Sequence, residues 1–257
     1  MLAGLVEGAY LDALEREKSL PLEEVRKRAL AQRPVKPGAT LAMSPGQHGI
    51  IAEIKRASPS KGALADIPDP VELAKMYEAG GASAISVLTE SRQFRGSLAD
   101  LEAVAAAVSI PVLRKDFVTT AYQVAEARAH GADVVLLIMA CLTDELASTL
   151  LEEIHSYGMS ALVETHSEDE LHRALSIGAR IVGVNARDLG TFSLDKDLFG
   201  RLRPLIPEGV VAVAESAVSD TSDVAKYRDQ GADLVLVGEA LVTGPNPQQT
   251  VAEFVAV

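Results

Sequence analysis

The sequence predicts an α/β fold, a single (β/α)8 TIM barrel that follows an N-terminal helical extension. The first observation is a sequence pattern that occurs four times, about 50 residues apart: the end of a helix, a Gly-Ala turn and an apolar strand. The second is that four further strand-like segments alternate with these. Eight alternating units with a two-unit repeat favour closure into a barrel over an open sheet. The repeated pattern occurs at 80–88, 130–138, 177–185 and 230–238.

The stretch before the first strand is predicted to form two helices, roughly 4–17 and 21–31, and a connector rich in proline and glycine. We expect one domain over 1–257, with the extension at 1–48 and the barrel at 49–257, because such barrels routinely reach this size. Two interpretations of the extension stay open. It is a solubilising appendage, or its helix and loop lie over one mouth of the barrel.

The eight predicted strands are apolar and rich in β-branched residues, which is typical of strands covered on both faces. The helical segments between them open at a capping or turn residue and close at glycine. Besides the four repeated segments, the predicted strands lie at 50–55, 111–117, 160–166 and 210–216.

Composition and charge exclude several classes of protein. The net charge of −12 opposes a general attraction to nucleic acid or to an anionic membrane. No apolar stretch approaches the roughly 20 residues that span a bilayer, and the N-terminus lacks the order of a signal peptide. The single Cys141 lies in an apolar stretch and fits a reducing compartment. We expect a cytoplasmic monomer or weak homo-oligomer whose partner is a small molecule, with no nucleic acid and no membrane.

Polar residues stand at the carboxyl ends of five predicted strands, where barrels of this kind hold their active sites. A single charge at a strand end is usually only solvated, but five strands that share the feature indicate a site. The residues, in strand order, are Glu53 and Lys55, Lys115 and Asp116, Glu164 and His166, Asn185 and Arg187, and Glu215 and Ser216.

These groups form a plausible acid-base set. Glu53 and Lys55 are two residues apart on a strand, so they share a face and can pair. A lysine ringed by carboxylates keeps its proton at neutral pH, whereas a lysine near a second one, as Lys55 and Lys115 could be, has its pKa lowered. Partial burial would raise the pKa of Glu164 into the range of a general acid or base.

The eighth strand ends at Gly238 and is followed by a short helical segment. The loops after the seventh and eighth strands commonly bind phosphate in this fold, although a tight turn alone would also explain the glycine. The five histidines show no paired ligand spacing, so no metal site is predicted. We expect His130 and His155 to be surface or capping residues, and His166 to face solvent.

Seven motifs, in order and at suitable spacing, resemble indole-3-glycerol-phosphate synthase over about residues 2 to 255. The resemblance implies a lyase of tryptophan biosynthesis that closes the indole ring of 1-(2-carboxyphenylamino)-1-deoxyribulose 5-phosphate and releases CO2 and water, with no cofactor and no metal. The motifs are "EIKRASPSKG" at 53–62, "SVLTE" at 86–90, "LRKDF" at 113–117, "LVETH" at 162–166, "GVNARDL" at 183–189, "AES" at 214–216 and "LVGEALV" at 236–242.

The resemblance also implies roles for individual residues. Lys115 would be the general acid for ring closure, and Glu164 the acid or base that helps the later dehydration. Lys55 would hold the substrate carboxylate or phosphate and would take part in proton transfer together with Glu53. The ribulose hydroxyls would be positioned by Asn185 and Glu215.

Two further groups complete the implied site. The substrate and phosphate end would be bound by Ser58, Ser60, Arg187, Ser216, Ala217, Gly238 and Glu239. The apolar wall for the anthranilate ring would consist of Phe94, Phe117, Leu136 and Leu189, for which core packing is the alternative.

Three positions depart from the family pattern: Ala186 where many members have asparagine, Ala217 where glycine is usual, and Glu239 where some members have serine. The Cβ of Ala217 could crowd a phosphate or oppose a positive φ. We expect N–H groups to hold the phosphate, with the Glu239 side chain turned away. The alternatives are another phosphosugar barrel, such as phosphoribosylanthranilate isomerase, which would need a Cys/Asp pair, and a non-catalytic scaffold.

Overall fold

A computed structural model describes residues 2–44 and 46–257. Eight parallel strands close into a barrel in chain order, and the first strand pairs with the eighth. The predicted (β/α)8 barrel is therefore confirmed. The strands are β1 Gly49–Ile54, β2 Ala84–Leu88, β3 Val112–Lys115, β4 Val134–Ile138, β5 Ser160–Thr165, β6 Ile181–Asn185, β7 Val211–Glu215 and β8 Leu234–Val237.

Helices connect the strands, and most of them begin at a side chain that accepts a hydrogen bond from the first turn. Such a cap contributes about 1 kcal/mol to a helix. The caps are Asp69, Ser97, Thr120, Thr143, Ser167, Asp220 and Asn246. The helices are α1 Leu2–Ser19, α2 Leu22–Ala31, α3 Pro70–Ala79, α4 Leu98–Ala107, α5 Ala121–Ala129, α6 Asp144–Ser156, α7 Glu168–Ser176, α8 Leu198–Leu202, α9 Thr221–Asp229, α10 Glu239–Thr243 and α11 Pro247–Val255.

The core has two layers because side chains on a strand alternate between its faces. Ile50 points outward and packs between the strands and the helices, whereas its neighbour Ile51 points inward. The barrel interior is filled by the inward residues, among them Leu113, Leu162 and Leu234. The interior is thus a packed core that opens only at its ends. Among the described helices, none is long and apolar enough to cross a bilayer.

The N-terminal extension contacts both ends of the barrel. Asp12 on α1 pairs with Arg92, which lies in the loop after β2 at the carboxyl ends of the strands. At the opposite end, Arg33 binds Asp133, the residue before β4, while Ala39 and Leu41 join the inner core. These contacts are those of a packed part of the fold, and α1 lies beside the mouth of the barrel.

Candidate active site

A cavity of about 270 Å3 opens at the carboxyl ends of the strands. The structure brings together there every residue to which the resemblance gave a role, whereas His166, the other residue at the end of the fifth strand, does not line this cavity. The residues with an implied role are Glu53, Lys55, Ser58, Ser60, Phe94, Lys115, Phe117, Leu136, Glu164, Asn185, Arg187, Leu189, Glu215, Ser216, Ala217, Gly238 and Glu239.

Lys115 lies at the centre of the charged part of the cavity. Its Nζ donates to Oε2 of Glu215 at 2.7 Å and to Oε2 of Glu164 at 3.2 Å. Together with Glu53, these residues come from β3, β7, β5 and β1. Barrel interiors are filled by layers of four side chains from alternate strands, so the topmost layer here is built from charges instead of branched apolar residues.

Lys55 and Glu53 form the predicted pair at the end of β1. Nζ of Lys55 lies 2.8 Å from Oε1 of Glu53, and Ser86 donates a hydrogen bond to the other carboxylate oxygen. A Cβ at Gly238 would lie 2.5 Å from that Oε1 and 2.9 Å from the ammonium nitrogen. The glycine after β8 is therefore required by the close approach of this pair, a reason that the sequence analysis did not find.

The charge state of Lys115 corrects one of the two sequence-based expectations. Burial opposes its charge, but Glu215, Glu164 and Glu53 outweigh that effect and raise the pKa of Lys115 above its usual value. The expectation that a second lysine lowers the pKa is therefore wrong for Lys115. It is a protonated donor at neutral pH.

The expectation that burial raises the pKa of Glu164 is also wrong. Burial does act in that direction, but Lys115 and His166 overcome it and hold the pKa of Glu164 below its usual range. The carboxyl group with the raised pKa is Glu215, which burial and the neighbouring Glu164 bring to about 8. The two carboxylates that share Lys115 thus differ: Glu164 is ionised and Glu215 tends to hold a proton.

His166 does not face solvent as expected. Its side chain is 8% exposed and lies between Glu164 and Glu170. The missed signal is the acid at position 170, which the start of α7 directs back toward the end of β5. The expectations for the other two histidines agree with the structure: His130 ends α5, and His155 is exposed near the end of α6.

The loop after β7 is strained at two residues. Ser216 has φ +69° and Ala217 has φ +60°, so the concern that Ala217 opposes a positive φ is justified. The loop is tied to β6, since Oδ1 of Asn185 accepts from the Ser216 hydroxyl at 2.8 Å and from the Arg187 N–H at 3.0 Å. Ser216 and Ala217 both line the cavity.

Glu239 lies at the rim of the cavity and forms an ion pair with Lys61. Its orientation relative to a phosphate stays a prediction. Lys61 and Lys196 also line the cavity, and both were missed. The sequence gives no distinct signal for them, because lysines in loops are ordinarily solvated.

The apolar side of the cavity includes Phe94 and Phe117, whose ring centroids are 6.3 Å apart. Phe117 also belongs to the inner core, so the same side chain both lines the cavity and packs in the core. The loop that carries Phe94 is held by Glu90, whose carboxylate accepts the N–H groups of residues 92 to 94. This holds the ring in place above the charged layer.

Two further residues of the barrel make close contacts that the sequence did not reveal. Asp116 borders the cavity, but Arg114 and the Phe117 N–H already occupy its carboxylate. On β6, a Cβ at Gly183 would collide with Oε1 of Glu215. A glycine inside an apolar strand is a sequence signal of such a close approach.

The sequence matches the family described as "Indole-3-glycerol phosphate synthase" over residues 5–254. Relatives of that name include one from Leifsonia xyli subsp. xyli, 57% identical over 99% of this chain and 97% of its own. Another, from Beutenbergia cavernae, is 54% identical over 100% of this chain and 95% of its own. One from Rhodococcus jostii is 52% identical over 99% and 94%.

Solved structures with a similar barrel are more distant in sequence. A 3-hexulose-6-phosphate synthase superposes with TM-score 0.63 at 17% identity, covering 81% of this chain and 98% of its own. An N-acetylmannosamine-6-phosphate 2-epimerase from Clostridium perfringens gives 0.60 at 17% identity, over 84% and 98%. These likenesses support the fold alone.

Proposed function

Because the chain belongs to the indole-3-glycerol phosphate synthase family, we propose that its charged layer performs the decarboxylating ring closure, with Lys115 as the general acid. The reaction converts 1-(2-carboxyphenylamino)-1-deoxyribulose 5-phosphate into indole-3-glycerol phosphate, CO2 and water, a step of tryptophan biosynthesis. The observation that carries the proposal is the position of the Lys115 ammonium, between Glu164 and Glu215 within the cavity.

Ring closure is the first step. The aromatic carbon that bears the carboxylate attacks the ketone carbon, and the ketone oxygen takes a proton from Lys115 to become a hydroxyl. A cation beside that oxygen stabilises the negative charge that develops in the transition state, and proton transfer removes it. Lys115 suits this role because it lies at the centre of the cavity and its acidic neighbours Glu215, Glu164 and Glu53 raise its pKa.

Decarboxylation follows, when the carboxylate leaves as CO2 and its bonding electrons restore the aromatic ring. Lys55 holds the carboxylate before it leaves. The ring lies against Phe94, Phe117, Leu136 and Leu189, an apolar surface that excludes water from the leaving group.

Dehydration completes the reaction. Glu164 removes a proton from the methylene carbon next to the nitrogen, and the new hydroxyl leaves as water with a proton from Lys55. The ionised state of Glu164 suits a base. We assign the second proton to Lys55 because Lys115 has already given up its own.

The sugar and phosphate lie on the opposite side of the charged layer. Asn185 and Glu215 position the ribulose hydroxyls. Oε1 of Glu215 is buried without a hydrogen-bond partner among the described residues, so it can form a hydrogen bond with a hydroxyl, as the donor when the carboxyl is protonated and as the acceptor when it is ionised. The phosphate is bound by Ser216, the N–H groups of Ala217, Gly238 and Glu239, the Ser58 and Ser60 loop, and Arg187.

The test is turnover of the anilino-deoxyribulose phosphate by purified protein without added metal, followed by indole absorbance. Lys115→Met is expected to fold and to bind substrate, but to lose at least about 10²-fold in kcat, the lower end for a general acid. Near-normal kcat would remove Lys115 from the mechanism. No product from the unmodified chain would contradict the activity itself.

We further propose that the enzyme works in the cytoplasm as a monomer or weak homo-oligomer, without nucleic acid or membrane. The net charge of −12 supports this, as does Cys141, whose burial raises the pKa of its thiol to about 12 and keeps it unreactive. Sedimentation at micromolar concentration tests the oligomeric state.

A further inference from the structure

His166 is held between two carboxylates at the end of β5. Its Nδ1 lies 3.1 Å from Oε2 of Glu170, and its Nε2 lies 3.3 Å from Oε1 of Glu164. The Nδ1 contact is a hydrogen bond, whereas the Nε2 contact is an ion pair not aligned for one. The imidazole therefore bridges the base proposed for dehydration and an acid outside the cavity.

The local sequence explains this placement. Glu164 is on β5 and His166 directly follows the strand, so the two residues, two apart in sequence, lie on the same side of the chain. Ser167 caps α7 by accepting the N–H of Glu170 at 3.2 Å, and Glu170 reaches back to accept the backbone N–H of His166 at 2.8 Å. This reciprocal arrangement resembles a capping box. The start of α7 thus sets the orientation of the histidine.

We propose that His166 is a positioning residue, oriented by Glu170, that keeps Glu164 ionised and directed at the substrate. The inference rests on the role proposed above for Glu164. Two cations contact that carboxylate, Lys115 and His166, and only Lys115 gives up its proton during ring closure. The imidazolium is therefore the partner that remains charged when Glu164 has to act as a base.

The charges around the ring favour the imidazolium. Burial opposes its charge, but Glu164 and Glu170 raise the pKa of His166 to about 10. The loop after β6 adds Asp188, whose carboxylate interacts electrostatically with His166. The other ionisable groups nearby are Cys141, whose thiol is neutral, and those of an adjoining polar cavity: Glu168, Asp195 and Arg201, the last two paired with each other.

The experiment compares His166→Asn and Glu170→Gln with the unmodified enzyme, measuring kcat and KM from pH 9 down to the lowest pH at which each protein stays folded, so that the acid limb is included. Without the imidazolium, the pKa of Glu164 rises, so the base is protonated at higher pH. We expect His166→Asn to lower kcat at pH 7 by about tenfold or more because Glu164 is no longer held toward the substrate. The higher pKa of Glu164 should also move the acid limb of the kcat profile to higher pH by about 1 to 3 units.

In Glu170→Gln the histidine remains, so we expect the acid limb of the kcat profile to move to higher pH by a smaller amount than in His166→Asn. The two effects should be less than additive in the double variant, because Glu170 acts through His166. KM should change much less than kcat. His172→Asn, an exposed histidine on the same helix, is the matched control and should behave as the unmodified enzyme.

An acid limb at the same pH as in the unmodified enzyme, in both variants, would overturn the proposal even if kcat fell. A purely structural role of His166 predicts a lower kcat with no change in the pH of the acid limb. Thermal unfolding checks that the variants are folded, and Glu170→Gln provides the test if His166→Asn is not. Glu164→Gln tests separately whether Glu164 is the base, on which the role of His166 depends. If that variant stays active, the role of Glu164 fails and the role of His166 fails with it.

Discussion

Three carboxylates and two lysines share the top of the barrel interior: Glu53, Glu164, Glu215, Lys55 and Lys115. Charges this close and this buried are stable only when they are paired. Each lysine has a carboxylate within 3.2 Å, and the remaining carboxyl, on Glu215, reduces the excess negative charge by tending to hold a proton. The substrate thus meets two ionised carboxylates, on Glu53 and Glu164, beside the two lysines.

Gly183→Ala tests whether this geometry depends on the absence of a side chain on β6. The new Cβ would meet the Glu215 carboxylate, which would have to move from Lys115. We expect kcat to fall by at least about tenfold, since small displacements of catalytic groups are costly, with an overpacking cost of about 1 to 3 kcal/mol.

The control is Gly4→Ala on α1, where a Cβ would meet no atom within 4 Å. It should leave kcat unchanged. A Gly183→Ala enzyme with the kcat of the unmodified chain would show that Glu215 does not need its observed position.

Ala217→Gly tests the strain in the loop after β7. At φ +60° an alanine is disfavoured by roughly 1 kcal/mol or more relative to glycine. Glycine also makes the unfolded chain more flexible, which offsets about 0.4 to 1 kcal/mol. We therefore expect a net stabilisation below about 1 kcal/mol, measured as a higher urea midpoint. Ala106→Gly, in the exposed face of α4, should instead destabilise by about 1 kcal/mol; equal losses in both variants would argue against strain at residue 217.

At the scale of elements, local patterns were sufficient for the barrel. The first strand was predicted at 50–55 and is Gly49–Ile54, and the sixth was predicted within 177–185 and is Ile181–Asn185. These strands are continuous apolar runs between a glycine turn and a polar end, so the sequence marks both of their boundaries. The candidate site was predicted from the same polar ends, and a cavity lies there.

Local patterns did not determine which side chains meet across the barrel. Lys115 contacts Glu164 and Glu215, which are 49 and 100 residues away in sequence. Such contacts depend on the stagger of a closed sheet, which no single segment encodes. For this reason the pKa shift of Glu164 was mispredicted, and the sequence left two alternatives open for Lys115. The surroundings of His166 were mispredicted because Glu170 folds back from the next helix.

At the scale of the whole molecule, the extension and the barrel share one core. Leu5 and Ala9 on α1, and Ala39 and Leu41 in the connector, belong to the same cluster as the barrel interior. Removing these residues would expose apolar surface at both ends of the barrel. We therefore propose that residues 1–257 unfold as one cooperative domain.

Arg33→Ala tests this unity from the end opposite the active site. Arg33 binds Asp133 through two hydrogen bonds of 3.0 and 3.2 Å, and the carboxylate is fully buried. Because Arg33 itself is partly exposed, we expect a loss of about 1 to 3 kcal/mol in unfolding free energy. The control is Arg26→Ala on α2, whose ion pairs with Glu23 and Glu153 are more exposed and should contribute less than about 1 kcal/mol.

If the chain is one domain, the loss in Arg33→Ala appears as a single urea transition at lower midpoint. Far-ultraviolet circular dichroism, which reports mainly on the barrel and its helices, and the fluorescence of a probe attached at an exposed position of α1 should then coincide. In that case kcat below the transition is unchanged, because residue 33 lies at the far end of the barrel from Lys115. A transition in which the α1 probe changes at lower urea than the circular dichroism signal would show that the extension unfolds separately, and would restore the interpretation of it as an appendage.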